Sequence, residues 1–391
     1  MNPETTPQPE KREIGPENFI FIAAFIVFFA LFAGRMGLMN TLNTLMNTAY
    51  SLLIDTVFYL MAICVLMGAV SALFSEFGLV SLANRLLNPL MVPLYQLPGA
   101  ASVGVVTTFL SDNPAILSLA EDHYFKSLFK RYQFPALTNL GTSFGMGLIV
   151  CTYMLSLSIS SGESYAVAVL VGLLGAVVGS VVSTRIMLRF TAKLYGRDEE
   201  AVAHTPAENP NRHMRPIRHG GLSNRFISAL LDGGMAGVKM GFSIIPGVLI
   251  ICTIVMMLTN GPSADGSYTG AAYEGVRLLP FLADKLSFIL EPLFGFSSPE
   301  AVGVPITALG AAGAATSMAA QLVSAGLANA GDIAVFTAMC MCWSGYLSTH
   351  VSMMNSLDCT ELISKALISH TIGGLCAGVS AHWIYVLVSL I

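Results

Sequence analysis

Charge is scarce in this chain. Only 11% of its 391 residues are charged, 19 basic and 23 acidic, while mean hydropathy stands at +0.70. No basic patch with interleaved aromatics occurs, so nucleic acid is not an expected partner. A nucleotide-binding Gly-Lys-Ser/Thr loop is missing as well, which argues against ATP- or GTP-driven work by the chain alone. No Ser/His/Asp set and no metal-ligand cluster falls at useful spacing, so the chain does not read as an enzyme and no cofactor is implied. The seven cysteines are odd in number and lie in or beside apolar segments. They read as small core residues, not as a disulfide framework. Cys340-Met341-Cys342 could in principle hold a soft metal, but the two thiols lack further ligands at matching spacing, and helix packing is the simpler reading.

Long apolar runs are what the chain does have, and several reach the length of a bilayer crossing. The sequence therefore predicts an all-α polytopic membrane protein. Residues 1–18 form a polar tail, and no signal-peptide cleavage site follows the run Phe19–Ala33, which reads as a first span. Residues 19–48 are expected to hold that extra span and an amphipathic stretch in which Asn40, Asn43 and Asn47 recur at helical spacing. Leu52–Phe74 is a second span with Asp55 near its start. Ser81–Leu97 mixes Asn84, Arg85 and Asn88 with leucines and suits a helix lying at the interface. Phe134–Ile159 and Tyr165–Arg189 are further spans joined by the turn Ser160–Ser164. Arg197–Leu222 is the longest polar loop.

Between the interfacial helix and the third span lies Ser111-Asp112-Asn113-Pro114, flanked by Ala100–Leu110 and Ala115–Ala120. Each flank is about half of the roughly 20 residues a crossing needs. Pro114 donates no backbone hydrogen bond and biases Asn113 away from helical geometry. The stretch reads as a re-entrant hairpin with a polar tip. The alternative is one kinked span with Asp112 near the surface. Irregular backbone at membrane depth persists only where it is buried in protein or lines a watery cavity, and an aspartate there is a functional candidate.

The second half repeats the first. Ser243–Thr259 is a span, Gly261–Gly275 a polar loop, and Leu278–Phe296 a second interfacial segment. Glu300–Ala328 is a second pair of short helices, broken around Gly310–Thr316, and Asp332–Leu357 and Lys365–Ile391 are the last spans. At an offset of 199, Pro93, Gly104, Thr108, Thr138 and Met154 meet Pro292, Gly303, Thr307, Thr337 and Met353. The pair Gly175 and Gly179 falls on Gly374 and Gly378, a spacing suited to close helix packing. Leu82–Leu86 resembles Leu282–Leu286 with a slip of one. The expected units are a first repeat over residues 49–194, a basic cytoplasmic loop over 195–225 and a second repeat over 226–391. Each repeat contains an interfacial helix, a re-entrant hairpin, an interrupted span and a plain span. Basic residues from Arg185 to Arg225 place the central loop inside. The N-terminus is then cytoplasmic and the C-terminus external. Each half makes three crossings, an odd number, so the halves are oppositely oriented: an inverted-topology repeat, the architecture of secondary transporters.

Phe109-Leu-Ser-Asp-Asn-Pro-Ala115, Thr138-Asn-Leu-Gly-Thr-Ser-Phe-Gly145 and Ser298-Pro-Glu-Ala-Val-Gly-Val-Pro305, in this order of elements, resemble the concentrative nucleoside transporters. The closer likeness is to the nucleoside-recognition Gate-domain membrane proteins, which include spore maturation proteins and the membrane part of bacterial ferrous-iron transport GTPases. The resemblance covers roughly residues 50–391. It implies a bacterial plasma (inner) membrane protein, a homo-oligomer, and a hairpin tip facing an interrupted span in each half. Those elements are Ser111–Pro114, Gly310–Ser317, Thr138–Ser143 and Ser344–Asn355. The second tip departs from the transporters in being nearly bare of polar groups.

The candidate substrate set is Asp112, Asn113, Thr316, Ser317, His350 and Asn355. Asp112 and Asn113 could equally cap the second hairpin helix, and His350 could bind substrate, relay protons or simply pack. Asn139, Thr142 and Ser143 share one helical turn and could coordinate Na⁺ through oxygen; the alternative is hydrogen bonding between helices. Asp55 and Asp232 read as structural, and Glu121-Asp122-His123 as a solvated hairpin end. The function expected is secondary transport of a small polar solute, nucleoside-like or otherwise organic, coupled to Na⁺ or H⁺. The alternative is a non-transporting component for assembly or envelope maturation.

Overall fold

The computed structural model describes residues 13–113, 115–116, 123–158, 163–199, 201, 217–263 and 265–390. Outside them lie most of the N-terminal tail, Pro114, the end of the first hairpin with Glu121-Asp122, part of the Ser160–Ser164 turn and most of the central loop. The described chain is all helical apart from a single isolated bridge. Among the described residues, four helices are long and apolar enough to cross a membrane: Pro16–Met36 (α1), Leu38–Glu76 (α2), Ala166–Tyr195 (α7) and Thr360–Ser389, whose α-helical part is Ile363–Ser389 (α15). This is a multi-pass helical membrane protein.

Two expected boundaries move. Residues 38–51 and the span after them form one helix of 39 residues, α2, widened into a π-turn at Leu52–Val57. Likewise the span expected at Ser243–Thr259 is the end of a longer helix, α8, which runs over 222–259 through a π-turn at Gly247–Cys252. Polar residues hid both continuations, because a helix that leaves the membrane needs no apolar face all round. The polar end of α2 has a partner. Asn40 Nδ2 donates to Tyr268 O and Asn47 Nδ2 to Gly270 O, both at 2.8 Å, and Thr48 Oγ1 accepts from Tyr273 N at 2.8 Å. The asparagine spacing thus serves a loop folded along the helix. Within that loop burial pushes the Glu274 carboxyl upward, but bonds from Ser263 and from Thr269 and Gly270 outweigh it, and the group is held below its ordinary range.

At its other end α2 is tied to the start of α8. Glu76 accepts from Arg225 Nε at 2.7 Å and Arg218 Nη1 at 2.9 Å. The two helices are therefore antiparallel, and glycines let them touch backbone to backbone. A methyl group added at Gly233 or Gly237 would run into the main chain of α2 at Gly68 or Cys64. Helices α7 and α15 form a second such pair: a Cβ at Gly179 would lie 2.5 Å from Gly373 O and 2.6 Å from Ala377 Cβ.

The remaining elements are short. Leu79–Leu90 (α3) continues as a π-turn to Tyr95 and carries exposed leucines at 82, 86 and 90. Ala101–Leu110 (α4) leads to the first tip, after which Ile116 folds back onto Gly104. Ala136–Thr142 (α5) and Gly147–Ser156 (α6) are separated by a break at 143–146. The second half holds Leu278–Lys285 (α9), Ser287–Phe294 (α10), Gly303–Ala308 (α11) and Ala312–Ser324 (α12). Ala330–Cys342 (α13) and Tyr346–Ser356 (α14) flank a break at 343–345. Helix α13 starts on a full capping box: Asn329 Oδ1 accepts from Asp332 N, and Asp332 Oδ2 accepts from Asn329 N.

Candidate functional site

Each interrupted helix turns on one left-handed residue. Met146 has φ +54° and Gly345 has φ +66°, and they stand 199 residues apart, on the register of the sequence repeat. Glycine adopts this geometry freely, whereas methionine holds it under strain, and such strain gathers at functional sites. Ending a helix there frees backbone carbonyls and N–H groups in the protein interior.

Both hairpin tips converge on the second break. Asn113 of the first tip is fully buried, and its Nδ2 donates to Ser344 O at 2.6 Å. Gly345 N donates to Ala308 O, at the end of the first helix of the second hairpin, at 3.0 Å. Between them lies a cavity of about 400 Å³. Asp112 and Met146 face it from the first half, Gly247 from the π-turn of α8, Ala311 from the second tip, Ser344 from the second break and Thr349 from the first turn of α14. Asp112 Oδ1 accepts from Asn113 N at 2.7 Å. The ion pairs found among the described residues involve Glu76, Glu199, Asp232 and Glu300, not Asp112.

Two unsatisfied polar atoms lie at this cavity: Asn113 Oδ1 and Ser344 Oγ are buried without a hydrogen bond among the described residues. Buried polar atoms are nearly always paired, so orphans beside a cavity mark a place for water, an ion or a solute. A larger groove of about 550 Å³, between α3, α4 and α7, has apolar walls. Its one hydroxyl, Tyr95 OH, is 2.7 Å from Ser180 Oγ, so it offers a solute no polar handle.

The structure brings together only part of the expected set. Asp112 lines the cavity, Asn113 is at its edge, and His350 is buried one residue beyond the lining Thr349. The others are placed elsewhere. Asn139 Nδ2 spends its hydrogens on Ser183 Oγ, Ser369 Oγ and Ala366 O at 3.0–3.1 Å, joining α5 to α7 and α15. Thr142 and Ser143 hydroxyls bond back to Thr138 O and Asn139 O, both at 2.8 Å. Thr316 and Ser317 bond to Gly313 O in the same way, at 2.9 and 2.7 Å. Asn355 is exposed at the end of α14. The cysteine pair packs in the core, where Cys342 Sγ is 3.7 Å from both Ser143 O and Ala176 O. Sequence reasoning missed Met146, Gly247 and Thr349. The 199-residue register could have flagged the first, because it places Met146 opposite the glycine of the second break.

The fold is a multi-pass helical one in which short helices and two helix breaks surround a buried cavity. No protein-family model matches the chain, and no curated protein matches its sequence. Among solved structures, CNTnw in an inward-facing substrate-bound state is similar, with a TM-score of 0.51 and 12% identity over 94% of this chain and 83% of that one. Two CNTnw variants in an outward-facing state give a TM-score of 0.49 at 13% identity, over 94% of this chain and 84% of theirs. CNTnw is a concentrative nucleoside transporter, and the chain shares its fold.

Proposed function

We propose that the chain is a secondary transporter of a small polar solute, nucleoside-like or otherwise organic, coupled to Na⁺ or H⁺. One observation carries the reading. Both hairpin tips and both helix breaks bound a single cavity, and that cavity holds a carboxylate with no cationic partner among the described residues. A buried carboxyl so placed calls for a proton or a ligand that balances it. The inverted repeat belongs to the proposal, and several pairs support it. Thr108 and Thr307 make the same bond, to Gly104 O at 2.9 Å and to Gly303 O at 2.7 Å. The left-handed residues match, and the plain spans α7 and α15 pack on each other. The orientation proposed keeps the Glu76–Arg225 end of α2 in the cytoplasm and the loop docked on Asn40 and Asn47 outside. In the same reading the protein is a homo-oligomer of a bacterial plasma membrane, related to the Gate-domain proteins.

The second reading is a non-transporting membrane component of the same fold. The bare second tip favours it: residues 310–313 put only glycine and alanine on the cavity, and Thr316 and Ser317 are turned into their own helix. A thermal-shift screen of the purified protein separates the two. Nucleosides, nucleobases, amino acids and metal ions are tested with and without Na⁺ and across pH. A ligand of the folded state raises apparent stability. Transport predicts that one solute class raises Tm, and more so with its coupling ion. No shift by any class moves the lead to the second reading.

A further inference from the structure

The second break is held from one side by a single helix. In a continuous helix Cys342 O would accept from the N–H of residue 346. The break frees that carbonyl in the protein interior, where leaving it unpaired is costly. His370 on α15 takes it, with Nε2 at 2.5 Å. A carbonyl only accepts, so Nε2 carries the hydrogen. In a neutral ring Nδ1 is then an acceptor, and Ser183 Oγ of α7 lies 2.9 Å from it. Ser183 therefore donates to Nδ1 and accepts from Asn139 Nδ2 of α5 at 3.0 Å. Every bond from Asn139 through Ser183 and His370 to Cys342 O runs in one direction.

The next residue of α15 grips the far side of the break. Tyr346, the first residue of α14, places its hydroxyl 2.5 Å from Thr371 Oγ1, and Thr371 donates its own hydrogen to Leu367 O at 2.8 Å. Cys342 closes the circuit with its thiol toward Ser143 O, the carbonyl 199 residues earlier, at 3.7 Å. At the matching positions on α7 stand Val171 and Gly172, which offer no such groups, so only one of the two breaks is gripped in this way. The rings of His350 and Tyr346 pack on His370 at 4.5 and 5.0 Å between centroids.

We propose that His370 is the positioning residue of the second break. Its neutral, Nε2-protonated tautomer fixes the Cys342 carbonyl, and through it the presentation of Ser344 and Gly345 to the cavity. The consequence for solute binding rests on the transporter reading, whereas the tautomer and the grip do not.

The test uses the full chain in nanodiscs. Nitrogen-15 NMR of histidine-labelled protein, with the His370 signals assigned from the His370→Gln variant, should show a protonated Nε2 and a bare Nδ1 at neutral pH. Ser183→Ala should perturb that Nδ1 signal. In parallel, Ser344→Cys is labelled with maleimide and the modified peptide is followed by mass spectrometry. His370→Leu should raise its labelling rate about tenfold, the scale of shift expected when a buried carbonyl loses its partner. His370→Gln, whose amide can donate to Cys342 O and accept from Ser183, should stay within about twofold of the wild type. A charged or Nδ1-protonated ring, or equal labelling in the Leu and wild-type backgrounds, overturns the assignment. If His370→Leu does not fold, the NMR signature of the wild-type ring decides alone. Neither readout involves a solute, so failure of the transporter reading leaves both intact.

Discussion

Asp112→Asn should raise the solute Kd roughly ten- to hundredfold, because a hydrogen bond to a charged group is worth about 1.5–3 kcal/mol. The protein should still fold. The local bond from Asn113 N to the Asp112 side chain, 2.7 Å long, needs only a carbonyl-type oxygen, which asparagine keeps. What disappears is the ionisable carboxyl, and the described residues supply no cation to balance its charged form. A cationic solute group, or a cation bound beside the solute, would then be the missing counter-charge. Asp55→Asn is the matched control. Asp55 is exposed on α2 and accepts from Ser51 Oγ at 2.8 Å, away from the cavity lining. Its variant should leave Kd unchanged. The measurement is a titration of both variants with the solute class found by thermal shift, alongside their melting curves. Wild-type affinity in Asp112→Asn would move Asp112 from the site to the scaffold.

A single methyl group at Gly145 should do comparable damage by another route. The added Cβ would overlap Asn113 Oδ1, lie 2.6 Å from its Cγ and come within 3.1 Å of Ser344 Oγ. Asn113 would have to leave, and its 2.6 Å bond to Ser344 O would break. The carbonyl left behind is buried, so Gly145→Ala should cost about 1–3 kcal/mol of stability and should also weaken solute binding. The clash names its partner, which makes a double-mutant cycle informative. Asn113→Ala alone should lose a similar amount, and adding Gly145→Ala to it should cost little more. Additive losses in chemical unfolding would show that Gly145 acts through some other contact.

The architecture was legible because it is written in length and spacing. Apolar runs announced the long helices. The 199-residue register, read from matches such as Gly104 with Gly303, led to helix breaks that turn on residues keeping that same register. Continuations of α2 and α8 beyond the apolar runs were not legible, since Asn40 and Asn47 look like surface residues until the loop that binds them is in place. The surroundings of the candidate site residues were not legible for a related reason. Residue type shows that Asn139, Thr142, Ser143, Thr316 and Ser317 can coordinate. It does not show which acceptor the fold puts within reach. Four of them are hydroxyl residues that found a carbonyl in their own helix, the common fate of serine and threonine in apolar helices. Asn139 found neighbouring helices instead. Gly247 was hidden for a different reason: it enters the cavity wall by a π-turn, which no hydrophobic period announces.

Solute flux tests the transporter reading most directly. Full-length protein in proteoliposomes is given radiolabelled uridine, together with whichever solute class stabilises it, under an imposed Na⁺ or proton gradient. A secondary transporter should accumulate the solute above the external concentration, lose that accumulation when an ionophore removes the gradient, and lose it in Asp112→Asn. A solute that binds the protein yet crosses no faster than through empty liposomes, whatever the gradient, would contradict that reading.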